Sequence, residues 1–380
     1  MLLEFGAENF CSFKEGFEIS FQKSKKSIED IANIIAIEGA NASGKTNVIK
    51  ILAFLRNFTT NSFTYLKPDE EIDIFSFFNN QNPITIYAIF LEKNIEYKYE
   101  LVLTRQKVIS ETIWKKDKRE TLIIERDENS IKTTKEYSEL QTINLNRKNS
   151  SIISIAKQYG IEKIDTIYNL FDKIITNVHS LGKTDNRDMF LDVDSVSKVY
   201  FESKELLKFV NHFLQQSDIG IFNIEIRERK NEETGEIIYF PIFNYQIDEK
   251  NNYLTYYDQS SGTQSLYLQL HLYLSVISIG GVLALDEFDI NLHPDLLPML
   301  LDFFENQEAN KKNAQLIVTT HNYDIMDRLG KYKTVLVNKE DNESFLYRLD
   351  EIPGDMIRND RPISPIYNAN KIGGKPRIKA

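Results

Sequence analysis

The sequence predicts an α/β fold: a mixed central sheet with flanking helices, an antiparallel β lobe and a helical insertion. Three observations predict it. The apolar run 34–37 leads into a glycine-rich loop, and then into an apolar stretch, 47–58, free of Gly and Pro. That order reads as strand, loop and buried helix. A second apolar run, 282–285, ends in Asp286 and Glu287. Residues 84–124 are instead rich in β-branched and aromatic side chains, after a turn-forming break at 79–83.

The loop itself reads GANASGKT over residues 39–46. Gly39, Gly44, Lys45 and Thr46 fill the phosphate-loop pattern, and the strand before and helix after supply the context it needs. Glycines let successive N–H groups turn inward at a helix N-terminus and cradle phosphate oxygens. The expected phosphate-binding set is Gly39, Asn41, Ser43, Gly44, Lys45, Thr46 and Asn47. Lys45 would reach the β and γ phosphates, and the Thr46 hydroxyl would ligate Mg²⁺.

The run 282–287 supplies a second half for such a site. Asp286 would hold Mg²⁺, and Glu287 would act as the base that polarises an attacking water. A third apolar strand, 314–319, ends in Thr320, His321 and Asn322. Parallel strands bring their carboxyl ends to one edge, where ligands sit. There His321 would sense the γ-phosphate. Upstream, residues 258–264 open a helix over 265–277 that is apolar nearly all round. A Ser or Thr there caps the helix, and the same free N–H groups and hydroxyls suit an anion. Both roles are compatible if the cap faces a partner.

Composition bounds the alternatives. The chain has 380 residues, 42% of them hydrophobic, enough for one large or two modest domains with a sizeable core. Its net charge of −10 does not advertise nucleic-acid binding. Cys11 is the only cysteine, which excludes a disulfide within the chain and argues against a cysteine zinc site. A cytoplasmic location is expected, with no signal peptide and no membrane span; the longest apolar run, 276–285, is too short. The expected division is 1–134, an N-terminal ATPase lobe with the phosphate loop and β subdomain; 135–216, a helical insertion interrupted near 182–186; and 217–380, a C-terminal lobe. Short strands are expected at 2–5 and 17–21, and further strands at 222–228 and 237–247. Ile164, Ile167, Leu170, Phe171, Ile174 and Ile175 share one helical spacing.

With these elements in order, the chain resembles the ABC-type ATPase superfamily in its SMC, RecF and OLD-like branch. Residues 260–264, SSGTQ, stand where that family has its signature motif. Thr263 matches the variant seen in OLD-like and abortive-infection ATPases. Phe288 and Asp289 are similar to the D-loop, and Asn291-Leu292-His293-Pro294 to the LHP stretch of this branch. Glu8-Asn9-Phe10 resembles its N-terminal strand, and residues 358–376 resemble the tail of the RloA and AbiL kind. Gln81 is the candidate for the Q-loop glutamine.

The resemblance implies a P-loop ATPase head that binds ATP and Mg²⁺. It implies a homodimer or higher oligomer in which Ser260, Ser261, Gly262 and Gln264 of one head face the ATP of the other. The implied role is antiphage defence of the abortive-infection type. In it, a phage protein would be the trigger and a separate nuclease, encoded nearby, the effector. The 59 residues that follow His321 here are expected to be too few for the Toprim-type nuclease domain of OLD proteins, so the effector is expected to be separate. The alternative is a RecF-like repair ATPase that binds DNA directly. His179, His212, His271, His293 and Trp114 are expected to be structural. The basic tail, with Lys371, Lys375, Arg377 and Lys379, is either a solvated end or a docking segment.

Overall fold

The computed structural model describes residues 1–23, 31–179, 182–183, 192–217, 220–247, 250–290, 292–353, 356–358 and 361–375. In chain order the first half runs β1 (Leu2–Glu8), β2 (Phe17–Ser20), β3 (Ile34–Gly39), α1 (Lys45–Tyr65), β4 (Ile84–Glu92), β5 (Ile95–Leu103), β6 (Val108–Lys116), β7 (Glu120–Asp127) and β8 (Ile131–Thr133). There follow α2 (Ile152–Gln158), α3 (Asp165–Asp172), β9 (Ile174–Thr176), β10 (Val178–His179), β11 (Gly182–Lys183), α4 (Val193–Glu202) and α5 (Lys204–Ser217). Next are β12 (Ile221–Lys230), β13 (Ile237–Ile247), β14 (Lys250–Thr255), α6 (Ser261–Ile279) and β15 (Val282–Leu285). The chain closes with α7 (Leu297–Glu305), β16 (Gln315–Thr319), α8 (Tyr323–Leu329), β17 (Thr334–Glu340), β18 (Glu343–Arg348) and α9 (Ser364–Asn368).

The core sheet has the order β18-β17-β3-β16-β15-β9. β17, β3, β16, β15 and β9 run parallel, and β18 returns antiparallel at one edge, so the sheet is mixed. β3 is buried at all six positions, as a central parallel strand covered on both faces must be. A second sheet, β2-β1-β4-β5-β6-β7-β8, is antiparallel throughout and forms the β lobe. In β4 buried positions alternate with half-buried ones, the pattern of a strand with one face on the core. The two sheets enclose α1, whose apolar side chains Val48, Ile49, Leu52, Leu55 and Phe58 join one cluster with Phe5, Ile86 and Leu101. The helix stops at Tyr65 because Pro68 follows, and a residue before proline is driven into extended backbone.

The other face of the core sheet is covered by α6 and α7, with α4 and α5 beyond. α6 is apolar nearly all round because it is packed on several sides; Ser260 caps its start and Gly280, at φ 66°, ends it. Among the described residues no helix is long and apolar enough to cross a membrane.

Two sequence expectations need correction. Ile174 and Ile175 do not continue the helix of Ile164, Ile167, Leu170 and Phe171; α3 ends at Asp172, and they form β9 at the edge of the core sheet. A three-residue strand after a short helix leaves no periodic signature of its own. The interruption near 182–186 lies mostly outside the described residues, as do Asn291, Asn359, Asp360, Pro376, Arg377 and Lys379. The C-terminal segment, as far as Lys375, is packed rather than solvated. Tyr347 Oη donates to Ile372 O at 2.5 Å and Tyr367 Oη to Gly374 O at 2.9 Å, over a small cluster with Met326 and Leu336.

Candidate active site

Parallel pairing sets Gly39 beside Val337, Thr319 beside Ile37 and Leu285 beside Val318, so the ends of β3, β15 and β16 share one edge. From that edge the phosphate loop turns into α1. A Cβ on Gly39 would lie 2.4 Å from Val337 O, and Gly44 sits at φ 113° with Ser12 Oγ and Ser344 Oγ 2.8 Å from where its Cβ would be. Only glycine fits either position without displacing backbone or neighbours.

The loop is held from outside by residues that sequence reasoning missed. Ser344 Oγ donates to Ser43 O at 2.6 Å and lies 2.7 Å from Ser12 Oγ. Asn47 Nδ2 donates to Ser12 Oγ at 2.8 Å. Asn47, expected to face the phosphates, thus anchors the start of α1 to the β1–β2 loop. Ser43 is buried, and among the described residues its Oγ has no hydrogen-bond partner. Asn41 is exposed at the loop's tip.

Lys45 is buried, and its Nζ donates to Gly39 O at 2.8 Å and Ala40 O at 3.1 Å. Burial pushes its pKa down, opposed by Asp286, Glu38, Glu287 and Asp289. The ammonium therefore sits in a ring of acids at the strand ends.

Thr46 Oγ1 donates to Asp286 Oδ2 at 2.8 Å. The other Asp286 oxygen, Oδ1, accepts from Thr319 Oγ1 at 2.5 Å, and that same hydroxyl accepts from Glu287 N at 2.7 Å. Asn177, just after β9, brackets Asp286 on the backbone: its Oδ1 accepts from Asp286 N at 2.7 Å and its Nδ2 donates to Asp286 O at 2.9 Å. Glu287 lies at φ 52°, a left-handed conformation that costs a non-glycine residue about 1–2 kcal/mol and persists only where neighbours enforce it. Thr319 had a weak signal, a polar residue closing an apolar run; Asn177 had none.

His321 follows β16, and its backbone N donates to Asp289 Oδ2 at 3.2 Å. Burial and the Lys45 charge lower its pKa, against the pull of Asp289, Glu287 and Asp286. Glu38, one residue before the loop, is fully buried, and among the described residues neither carboxylate oxygen has a hydrogen-bond partner. Burial, then Asp289, push its pKa up to about 9. A buried acid inside an apolar strand gives no periodic signal, and the sequence reading passed over it.

The structure thus brings Lys45, Thr46, Asp286, Glu287 and His321 together. Ser260, Ser261, Gly262 and Gln264 sit at the start of α6. Ser260 Oγ accepts from Thr263 N at 3.2 Å, and Gln264 Nε2 donates to Tyr256 O at 3.0 Å and Gln259 O at 3.2 Å. Both serines are exposed. Gln81 lines a polar cavity of about 220 Å³ with Asn79, Asn80, Thr104 and Arg105 on the β lobe. His293 caps the turn before α7, its Nδ1 accepting from Asp295 N at 3.3 Å. Among the described residues no group of three or more His, Cys, Asp or Glu is placed to hold a metal.

Among the solved structures similar to this one are an SMC head domain and a RecF protein. The SMC head domain from Thermotoga maritima is 15% identical, with 91% of this chain and 98% of that chain covered, at a TM-score of 0.45. The recombination mediator protein RecF of the RecFOR pathway, solved as RecF-ATPrS, is also 15% identical, with the same shares of the two chains covered and a TM-score of 0.38. No curated protein matches the chain. Residues 34–327, well over half of the sequence, match the family described as "AAA domain, putative AbiEii toxin, Type IV TA system". The match spans the phosphate loop, the acid pair and His321, and the chain belongs to that family of AAA-type ATPase domains.

Proposed function

We propose that the protein is an ABC-type ATPase that hydrolyses ATP with Mg²⁺, and that in bacterial antiviral defence it senses infection and controls a separate nuclease effector. The observation that carries the hydrolysis reading is the bonded chain Thr46–Asp286–Thr319–Glu287, which joins the phosphate loop to both acids. Thr46 and Asp286 offer two hard oxygen donors 2.8 Å apart, a donor set that suits Mg²⁺ completed by water and phosphate. In this reading Lys45 meets the phosphates, Glu287 polarises the attacking water, and His321 contacts the γ-phosphate.

The exposed start of α6 supports the expectation that Ser260, Ser261, Gly262 and Gln264 serve the ATP of a second head. The family's description names a toxin of a TA system, and this supports a defence role. Residues 1–134, 135–216 and 217–380 are the expected units; within the middle one β9 and Asn177 serve the ATPase core, which leaves α4 and α5, with the basic C-terminal segment, as the surfaces for an effector or a phage trigger. The single cysteine suits a reducing cytoplasm.

A phosphate-release assay tests the enzyme. Wild type should turn over ATP, Lys45→Ala should fail to bind it, and Glu287→Gln should bind without appreciable turnover. Equal rates for Glu287→Gln and wild type would remove Glu287 as the base. Incubation with DNA, RNA and tRNA in Mg²⁺ and ATP tests the separate effector. Cleavage that survives repurification and vanishes in Glu287→Gln would place the nuclease in this chain.

A further inference from the structure

We propose that the cleft between the end of α8 and the C-terminal segment binds a phosphoryl group of a ligand other than the ATP at the phosphate loop. Lys23, Arg328, Lys331, Lys333, Arg358 and Arg361 line one cavity of about 280 Å³. In a chain of net charge −10, six cations on one cavity are not a by-product of general basicity. Among the described residues Asp327 is the only acid that lines it, and its carboxylate is already taken: Oδ1 accepts from Ile363 N at 2.5 Å and Ser364 N at 2.7 Å, and Oδ2 from Ser364 Oγ at 2.5 Å.

The cations differ in how far they are neutralised. Glu305 accepts from Lys333 at 2.7 Å and from Arg328 at 3.1 Å, and Asp302 also holds Arg328. Those two form a fixed wall. Lys331 has a long contact to Ile357 O, 3.5 Å, and lies 5.3 Å from the Tyr332 ring; among the described residues no carboxylate pairs with it. Arginine forks match phosphate oxygens in a bidentate way, and a lysine adds a point charge. A dianionic phosphoryl group is the ligand chemistry that fits such a set.

The cleft is separate from the ATP site. Lys333 precedes β17, while Val337, four residues further, pairs with Gly39 at the phosphate loop. At strand rise that is about 13 Å. The phosphoryl group has two sources, a free nucleotide or polyphosphate, or the backbone of a nucleic acid.

The experiment uses the full chain carrying Lys45→Ala, which silences the phosphate loop. Binding of inorganic pyrophosphate is measured by calorimetry, and that of a labelled single-stranded oligonucleotide by fluorescence anisotropy. At least one probe should bind, and Lys331→Glu with Arg361→Glu should weaken it about tenfold or more. Pyrophosphate binding assigns a free ligand; oligonucleotide binding that pyrophosphate does not displace assigns a nucleic-acid backbone. Should the charge-reversed protein lose its circular dichroism signal, Lys331→Gln with Arg361→Gln decides, with the same direction expected. Binding of neither probe, or an affinity unmoved by these substitutions in a folded protein, overturns the proposal.

Discussion

Thr319 Oγ1 stands between the two acids of the site: it donates to Asp286 Oδ1 at 2.5 Å and accepts from Glu287 N at 2.7 Å. One hydroxyl from β16 therefore fixes the carboxylate of one acid and the strained backbone of the next. Thr319→Val keeps the shape and removes both bonds. ATP turnover should fall about 10–100-fold, the scale on which lost supporting bonds act at such sites, while Thr319→Ser retains most of it. Unchanged kcat in Thr319→Val would show that Asp286 and Glu287 are placed without it.

ATP should drive or tighten head-to-head association. Ser260 and Ser261 are exposed at the start of α6, where free N–H groups suit a phosphate. In sedimentation, Glu287→Gln with ATP should run as a larger species than without it, and Gly262→Asp should abolish the difference by placing a negative charge against the phosphate. An ATP-induced shift that survives Gly262→Asp would move the contact elsewhere.

Stability should fall toward both acid and alkali, for two buried groups. His271 on α6 is buried with its pKa lowered to about 4 by desolvation. The unfolded chain binds the proton more readily, so this contribution is intact above about pH 6.5 and is lost as pH falls toward 4. Glu38 is the mirror case. Raised from 4.5 to about 9, it is protonated in the fold and ionised in the unfolded chain, so stability drains away as pH rises from about 4.5 through 9. Melting temperatures across pH should show a flatter acid limb for His271→Leu and a flatter alkaline limb for Glu38→Gln. If the two variants keep the wild-type pH profile, these groups do not set it.

The β lobe depends on one buried ion pair. Glu111 accepts from Arg126 Nη1 at 3.1 Å, Tyr99 Oη at 3.0 Å, Ser151 Oγ at 2.5 Å and Ile152 N at 2.8 Å, and both charged residues are buried. Glu111→Ala strips the carboxylate from a buried guanidinium, and should cost about 3–5 kcal/mol. Trp114, the only tryptophan, lies on the same strand, β6, and its fluorescence reports denaturant unfolding there. A loss below about 1 kcal/mol would mean that the lobe reorganises around Arg126.

The sequence by itself determined the local chemistry of this protein. Gly39, Gly44, Lys45 and Thr46 are consecutive parts of one loop, and Asp286 with Glu287 closes one apolar strand, so spacing alone exposes them. The alternating strands of the β lobe and the long apolar helices were legible for the same reason, since periodicity of two or 3.6 is written into neighbouring residues. Residues 323–357 gave no element, although β17 and β18 complete the core sheet there. Only the tertiary structure decided which distant residues support the site. Asn177 reaches Asp286 across 109 positions, and Ser344 reaches Ser43 across 301. Strand order brings them in, and order is settled by how parallel strands pair and what covers their faces, which no local pattern encodes. Glu38 shows the limit from the other side. Its neighbours in sequence mark it as part of a buried strand, but only the packing that buries it and sets Asp289 near it, against the pull of Lys45, pushes its pKa up to about 9.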